Sequence, residues 1–241
     1  MIMSQPHSDP AAIECLVRDN LNAVRARMAR AAERSGRNAE AVTLVAVTKY
    51  AQPEWVQALL RLGHLELGEN RPQQLEERAR LFPSTVNWHL IGHLQRNKVR
   101  KTLPIVRLIH SLDSVSLVQA VDRIAGELGL LSEALLEVNV SGEASKGGFR
   151  PDDLRTAWAA LRDLPRVSIR GLMTMAPLSD DPESARTVFR DLRRLRDELA
   201  GGSGQLPELS MGMTGDFEVA IEEGATLVRI GSALWTGLEE G

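Results

Sequence analysis

Eight short apolar runs, separated by longer amphipathic stretches, constrain the fold of this chain more than any other feature. The runs have the length and the Val, Ile and Leu content of buried strands, whereas the stretches between them repeat apolar residues at steps of three or four, as helices do. The strand-like runs are 43–48, 64–67, 87–91, 107–111, 133–140, 167–173, 208–211 and 227–230, and the helix-like stretches between them are 53–62, 73–81, 116–128, 151–161, 182–199 and 216–223.

This alternation predicts an α/β protein built as a single (β/α)8 TIM-type barrel, because parallel strands need crossover connections that are usually helical. An open, doubly wound sheet is the alternative, and periodicity does not exclude it. Residues 11–35 add an extra N-terminal helix, whose apolar positions from Ile13 to Met28 recur at helical spacing. Neither repeats nor low-complexity tracts divide the chain, so we expect one domain over residues 1–241, with about 1–10 disordered.

Charge and cysteine content narrow the function classes. The net charge of −3 argues against nucleic acid or an anionic membrane as partner. Cys15 is the only cysteine, which excludes an intramolecular disulfide and a multi-cysteine metal site and suits a reducing cytoplasm. The first ten residues lack the apolar core of a secretion signal, and no stretch is long enough to span a bilayer. We expect a cytoplasmic protein without a bound metal.

Lys49 directly follows the first strand-like run, and barrels of this class place their functional sites at the carboxyl ends of the strands. A lysine in a partly desolvated pocket can offer a free amine that forms a Schiff base with a carbonyl. Strands also end on lysine because the charge returns to water there, and taken singly Lys49 fits that explanation better. Asn70 and His89 have ordinary explanations too, as a helix cap and a core histidine.

The last two strand-like runs end in residues suited to binding an anion. Ser210 and Gly212 stand at the end of the seventh run, and Gly231 and Ser232 follow the eighth. In such barrels these two loops commonly bind phosphate through backbone amides and a short helix N-terminus. An amine on the first strand that faces a phosphate site matches pyridoxal 5'-phosphate (PLP), which carries an aldehyde and a phosphate.

Arg229, within the eighth run, indicates how the protein would affect the protonation of the pyridine nitrogen of such a cofactor. A guanidinium only donates hydrogen bonds, so a pyridine nitrogen that faces it stays unprotonated and the ring is a weaker electron sink. This disfavours long-lived carbanion chemistry. The competing interpretation is that Arg229 pairs with a carboxylate such as Glu69 at the barrel mouth.

Seven motifs, in their order along the chain, resemble those of the pyridoxal phosphate homeostasis protein family. Together they extend over about residues 13–237, and their order makes coincidence improbable although each motif alone is weak. They are VAVTK (45–49), GEN (68–70), WHLIGHLQ (88–95, followed by NK at 97–98), EASKGG (143–148), GLM (171–173), LSMGM (209–213) and VRIG (228–231).

The resemblance implies a barrel like the N-terminal domain of alanine racemase, with PLP as cofactor and no catalytic residue. It makes Lys49 the Schiff-base lysine and Arg229 the partner of the pyridine nitrogen. The other implied cofactor-binding residues are Ser210, Gly231 and Ser232 near the phosphate, and Asn70, His89 and Met211 along the pocket. The family departs from this chain at Arg71-Pro72, where its members often carry an aromatic residue.

The resemblance implies a role in the intracellular supply and balance of PLP, without a demonstrated catalytic activity. A PLP-dependent racemase is the alternative, but it needs an acid/base opposite the lysine, and Tyr50 is expected to point away from Lys49 because neighbours on a strand alternate. An aldolase that acts on a sugar phosphate through Lys49 is a third possibility. We expect a monomer that passes PLP to apo PLP-dependent enzymes, with Lys146 in a Gly-rich loop as a solvated lysine or an aid to transfer.

Overall fold

A computed structural model describes residues 9–143, 147–201 and 206–238 of the protein. Its eight strands pair in parallel and in chain order, and the last strand closes on the first. They are β1 (Thr43–Val47), β2 (Glu66–Glu69), β3 (Asn87–Leu90), β4 (Val106–Leu112), β5 (Ser132–Glu137), β6 (Val167–Met173), β7 (Glu208–Ser210) and β8 (Leu227–Ile230). The predicted (β/α)8 barrel is confirmed, and the open sheet is wrong because β8 is hydrogen-bonded to β1.

Nine α-helices surround or cap the strands within the described residues. They are α1 (Pro10–Arg34), α2 (Pro53–Arg61), α3 (Pro72–Leu81), α4 (Val99–Thr102), α5 (Val115–Leu128), α6 (Pro151–Arg162), α7 (Arg186–Ala200), α8 (Phe217–Glu222) and α9 (Ser232–Trp235). The helix predicted over 182–199 instead starts with a 3-10 turn, Pro182–Ala185, before α7 begins. We expected disorder over about residues 1–10, but α1 already begins at Pro10 with Asp9 as its N-cap. Residues 1–8 and Lys146 lie outside the described residues.

The extra N-terminal helix α1 is confirmed and covers one side of the barrel. The Asp9 side chain accepts a hydrogen bond from the Ala11 amide (3.1 Å) and so caps its first turn. Its buried face packs against α2, α8 and α9. The Asn20 side chain donates to the carbonyls of Leu234 (3.1 Å) and Thr236 (2.9 Å), so α1 satisfies polar groups at the end of α9.

The barrel interior contains both an apolar cluster and a set of buried polar side chains. Inward-facing side chains of five strands form a separate apolar cluster, namely Val45, Leu108, Leu135, Met173 and Leu227. Gly68 keeps the interior open on β2, because a Cβ there would lie 2.9 Å from Val45 Cγ1. The remaining interior is occupied by buried polar side chains of β3, β4, β7 and β8, and these connect the two ends of the barrel.

Two further properties bear on function. No helix in residues 9–143, 147–201 and 206–238 is long and apolar enough to cross a membrane. Across the same ranges, no group of three or more His, Cys, Asp or Glu side chains is placed to hold a metal ion.

Candidate functional site

A cavity of about 540 Å³ opens at the carboxyl ends of the strands, where functional sites of such barrels lie. We call it the carboxyl-end cavity. Its wall is formed by the turns after β1, β2 and β3, the segment between β6 and α7, the loop after β7, and the end of β8 with α9. The polar side chains on it include Lys49, Tyr50, Asn70, Ser179, Asp181, Ser184, Thr214, Asp216, Arg229 and Ser232.

The turn after β1 brings Lys49 to this cavity. β1 ends at Val47, so Lys49 and Tyr50 belong to a turn and not to the strand. Lys49 Nζ lies 5.0 Å from the centre of the Tyr50 ring, within range of a cation–π contact, and both side chains line the cavity. The expectation that Tyr50 points away from Lys49 is therefore wrong, because strand alternation ends before these residues.

A buried ion pair anchors the same turn from behind. Arg78 of α3 contacts Glu69 at the end of β2, with 3.1 Å between Arg78 Nε and Glu69 Oε1. Arg78 also donates to the carbonyls of Ala51 (2.6 Å) and Thr48 (3.2 Å), and the Thr48 hydroxyl donates to Glu69 Oε1 (2.5 Å). Burial raises the pKa of Glu69, and the bonds from Thr48 and Arg78 oppose that rise. These contacts hold the backbone on both sides of Lys49.

Arg229 is a buried cation that faces the cavity without a directly paired anion. Its Nη1 donates to the Ser210 hydroxyl (2.5 Å) and its Nη2 donates to the Thr174 carbonyl (2.9 Å). No carboxylate of the described chain forms an ion pair with it, so the alternative pairing with Glu69 is wrong. Burial lowers the pKa of Arg229 to about 10, while Asp216 and Glu137 act against the decrease from a distance. The guanidinium is therefore charged at neutral pH.

The loops after β7 and β8 supply groups that suit an anion. The first hydrogen bond of α9 runs from the Leu234 amide to the Gly231 carbonyl (2.9 Å), so the amides of Ser232 and Ala233 precede it and have no partner within the helix. Gly231 and the Ser232 side chain lie on the cavity wall. In the loop after β7, Gly212 has φ +93°, and a Cβ there would lie 2.6 Å from Ala220 Cβ, so the tight passage into α8 requires glycine.

The structure brings five of the eight predicted cofactor-binding residues to the cavity. These are Lys49, Asn70, Arg229, Gly231 and Ser232. Asn70 does not cap α3, whose N-cap is Arg71; instead it packs so closely on Gly92 that a Cβ there would lie 2.1 Å from Asn70 Oδ1.

The other three predicted residues are placed differently. The Ser210 hydroxyl lies between Arg229 and His110 inside the barrel, and the side chain of Met211 is fully buried in the apolar core. His89 is bonded to His110 and Glu66 below the cavity. None of His89, Ser210 and Met211 is among the residues that line the cavity, so their contact with a cofactor stays a prediction. Alternation along the strands places His89 and Ser210 inside the barrel, but it does not give their depth below the cavity.

Arg78 and Asp216 were not predicted from the sequence to belong to the site. Arg78 stands three residues after the buried Leu75, so the inward face of α3 already contained a signal for it. Asp216 lies on the cavity wall and accepts a hydrogen bond from the Met213 amide (2.6 Å), which closes the loop after β7. Burial raises the pKa of this carboxyl. Nothing in the sequence distinguished it from an ordinary helix-start aspartate.

Comparison with known proteins gives one consistent family. Residues 20–239 match the family model described as alanine racemase, N-terminal domain. The pyridoxal phosphate homeostasis protein of Aquifex aeolicus (strain VF5) is 42% identical over 219 residues, which cover 90% of this chain and 96% of that protein. That of Deinococcus radiodurans is 41% identical over 216 residues, covering 88% and 98%.

Solved structures agree with this assignment. PipY of Synechococcus elongatus PCC7942, with PLP bound, has a TM-score of 0.74 at 36% identity and is covered over 99% of its chain and 86% of this one. Alanine racemase of Clostridium difficile 630 has a TM-score of 0.71 at 16% identity over 91% of this chain and 56% of its own, which shows a shared fold alone. The chain therefore belongs to the alanine racemase N-terminal domain family and, within it, to the pyridoxal phosphate homeostasis proteins.

Proposed function

We propose that this protein binds PLP in the carboxyl-end cavity, holds it as a Schiff base on Lys49 and supports the intracellular supply and balance of PLP. Relatives over 30% identical along most of the chain are named pyridoxal phosphate homeostasis proteins, and PipY, 36% identical, has been solved with PLP bound. Both findings support the proposal. They concern those proteins, and the side chains at the carboxyl-end cavity of this chain give further support.

The observation that carries the proposal is that a lysine amine and a buried guanidinium face one cavity. The amine of Lys49 can condense with an aldehyde and release water. The guanidinium of Arg229 offers a donor to a ring nitrogen, and the amides at the start of α9, with Ser232, suit a phosphate. The cavity volume of about 540 Å³ lies in the range of small-molecule sites.

We also propose that the protein holds PLP without using it catalytically. PLP supplies an electron sink to enzymes that protonate its ring nitrogen, and Arg229 donates without giving up its proton. Asp216 and Glu137 lie close enough to support the cationic form of Arg229. The site therefore favours a stable, exchangeable adduct over carbanion chemistry.

Tyr50 is the observation that favours the racemase alternative, because it reaches the cavity beside Lys49. Its ring lies against Lys49 Nζ, whereas two-base racemisation needs a group on the face of the substrate opposite the lysine. Incubation of the loaded protein with L-alanine in D₂O tests this. We expect no α-proton exchange beyond that of free PLP. Exchange accompanied by formation of D-alanine, with both lost in Tyr50→Phe, would establish the racemase.

Titration of the purified protein with PLP tests the binding itself. The visible absorbance of a Schiff base should appear in the wild type and in Lys101→Ala, which removes an exposed lysine outside the cavity. It should be absent in Lys49→Ala, because no other lysine of the described chain lines the cavity. A colourless wild-type protein would reject PLP binding and favour the aldolase.

The partners we propose are apo PLP-dependent enzymes of the cytoplasm. A loaded protein can be mixed with such an apo enzyme in the presence of an excess of a scavenger that captures free PLP. Direct delivery predicts activation of the apo enzyme that the scavenger does not suppress. Activation that proceeds no faster than PLP is released into solution would show that transfer occurs through the free pool.

A further inference from the structure

A continuous series of hydrogen bonds crosses the barrel interior from Arg229 to the opposite end. Ser210 Oγ lies 2.5 Å from Arg229 Nη1 and 2.8 Å from His110 Nδ1. His110 Nε2 lies 2.9 Å from His89 Nδ1, and His89 Nε2 lies 2.7 Å from Glu66 Oε2. We call these five side chains the interior relay. They belong to β8, β7, β4, β3 and β2, so the relay is built by the barrel and not by a loop.

The two ends of the relay determine where its protons lie. Arg229 can only donate, so the Ser210 oxygen accepts from it and directs its own proton to His110 Nδ1. His110 then carries its proton on Nε2 and donates to His89 Nδ1. His89 carries its proton on Nε2 and donates to the carboxylate of Glu66. All four bonds therefore point from the guanidinium to the carboxylate, and both imidazoles are neutral.

Reversal of these bonds would leave a buried group without a partner. A charged His89 would donate to His110 Nε2, and His110 would then donate to Ser210. The hydroxyl of Ser210, which is fully buried, would receive two donors and lose the acceptor for its own proton. Burial, with the nearby His89 and Arg229, holds the pKa of His110 well below its ordinary value, in agreement with a neutral ring.

Glu66 lies at the opposite end of the barrel from the carboxyl-end cavity. It lines a second, polar cavity of about 250 Å³, formed by the first residues of the strands, which we call the amino-end cavity. Its side chain is 31% exposed and also accepts from the Asn87 side chain (2.6 Å). Burial raises the pKa of Glu66, but the bonds from His89 and Asn87 outweigh it and leave the pKa below its usual value. The carboxylate is thus ionised at neutral pH.

We propose that Glu66, His89 and His110 are positioning residues for Arg229, acting through the Ser210 hydroxyl across the whole barrel. The carboxylate of Glu66 selects the tautomer of His89, and each ring selects the next, until Ser210 presents a lone pair to the guanidinium. The relay thereby couples the amino-end cavity to the carboxyl-end cavity. The relay consists of the protein's own side chains, and only its effect on PLP rests on the proposed function.

The proton pattern can be measured in protein without PLP. Nitrogen NMR of the histidine rings distinguishes the Nδ1–H tautomer, the Nε2–H tautomer and the cation. We expect neutral Nε2–H rings for both His89 and His110 at pH 7. A His110 protonated on Nδ1, or a cationic His89, would overturn the relay.

Substitution of Glu66 tests the coupling between the two cavities, because Glu66 lines the amino-end cavity and has no contact with the carboxyl-end cavity. In Glu66→Gln the relay keeps a hydrogen-bond acceptor but loses the terminal charge, and in Glu66→Ala it loses both. We expect PLP to dissociate about fivefold faster from Glu66→Ala than from the wild type, within the range seen for residues that act through a network, and Glu66→Gln to lie between them. The ring signals of His110 should shift in the same order.

The matched control is Glu208→Gln. Glu208 lines the same amino-end cavity, but it accepts from the Thr226 hydroxyl (2.5 Å) and has no bond to the relay. Its PLP dissociation and its His110 signals should equal those of the wild type. Equal behaviour of the Glu66 variants and this control would reject the proposal. If the wild type bound no PLP, the proposed function would fail, and the ring signals would still decide the relay.

Discussion

Arg229 shows how a buried charge can be stabilised by neutral hydrogen-bond partners and by carboxylates that do not contact it. Arg229 is 4% exposed, yet its guanidinium is bonded to a hydroxyl and a carbonyl, both neutral. Asp216 and Glu137 balance the charge from further away. Because neither carboxylate forms an ion pair with the guanidinium, the cation remains available to a ligand in the cavity.

The buried pair of Arg78 and Glu69 carries the first residue-level prediction. Replacement of Arg78 by Met leaves Glu69, whose side chain is fully buried, without its cation. We expect a loss of about 3 kcal/mol in the free energy of unfolding, measured by urea denaturation. The double variant Arg78→Met, Glu69→Gln should recover much of the loss.

The control for this pair is Arg80→Met on the same helix. Arg80 is 72% exposed and pairs with Glu76, so its replacement should change stability by no more than about 0.5 kcal/mol. Equal losses in Arg78→Met and Arg80→Met would contradict the assigned role of the buried pair.

His64 carries a prediction about pH. Burial, with a contribution from Arg25, lowers the pKa of His64 from 6.5 to about 4. The unfolded chain therefore binds a proton that the folded protein rejects, and stability falls as the pH drops from about 7 toward 4. We expect His64 to account for about 1 kcal/mol of the stability lost between pH 7.5 and 5.5.

Urea denaturation at these two pH values measures the effect. His64→Gln should show a smaller pH dependence of the free energy of unfolding than the wild type. An unchanged pH dependence in His64→Gln would show that His64 does not titrate between the folded and unfolded states in this range.

At the scale of elements, strand and helix periodicity predicted most of the barrel. The bounds of β6 and β8 agree with the predicted runs. β2 begins two residues later than predicted, because Gly63 adopts φ +79° and the His64 amide still bonds to the Leu59 carbonyl (3.2 Å) at the end of α2. The four-residue helix α4 was not predicted, since it is too short to show a helical period.

The sequence predicted the site residues that lie at the carboxyl ends of strands. It did not predict how deep in the barrel interior a side chain within a strand lies. Lys49 and Arg229 follow from the ends of β1 and β8, which the apolar runs mark clearly. The depth of His89 inside the barrel depends on the stagger of neighbouring strands, including a register shift between Trp88 and His89 against β4. Such a shift has no signature in hydrophobic periodicity.

The contact between α1 and α9 yields the element-level prediction. Asn20→Ala removes the donor to the Leu234 and Thr236 carbonyls, which should lower the free energy of unfolding by about 1 to 2 kcal/mol. Since α9 starts at Ser232, PLP should also dissociate faster. The control Arg30→Ala, on an exposed position of α1, should leave both quantities unchanged. Loss of stability without any change in PLP release would show that α9 does not contribute to binding the phosphate of PLP.

At the scale of the whole molecule, we propose that the chain folds as one domain. The four tryptophans lie in α2, β3, α6 and α9, on different parts of the barrel, and are Trp55, Trp88, Trp158 and Trp235. Closure of β8 on β1 makes each strand depend on both neighbours. Tryptophan fluorescence and far-UV circular dichroism should therefore report one coincident urea transition. Two separated transitions would contradict a single cooperative unit.

The same closure creates two ends with different chemistry. The carboxyl-end cavity presents Lys49 and Arg229, whereas the amino-end cavity presents Glu66 and Glu208 among charged neighbours. The interior relay is the polar connection between them. A barrel with a wholly apolar interior would lack this connection, so a ligand at one end would not be linked to a charge at the other.

Covalent mapping of the cofactor tests the central claim most directly. The protein is loaded with PLP, treated with borohydride, which reduces a Schiff base to a stable amine, and digested for peptide mass analysis. The chain has four lysines, Lys49, Lys98, Lys101 and Lys146, so the assignment is unambiguous. We predict that the pyridoxyl label lies on Lys49 and is absent from Lys49→Ala. A label on another lysine, or an equal distribution over all four, would contradict the account.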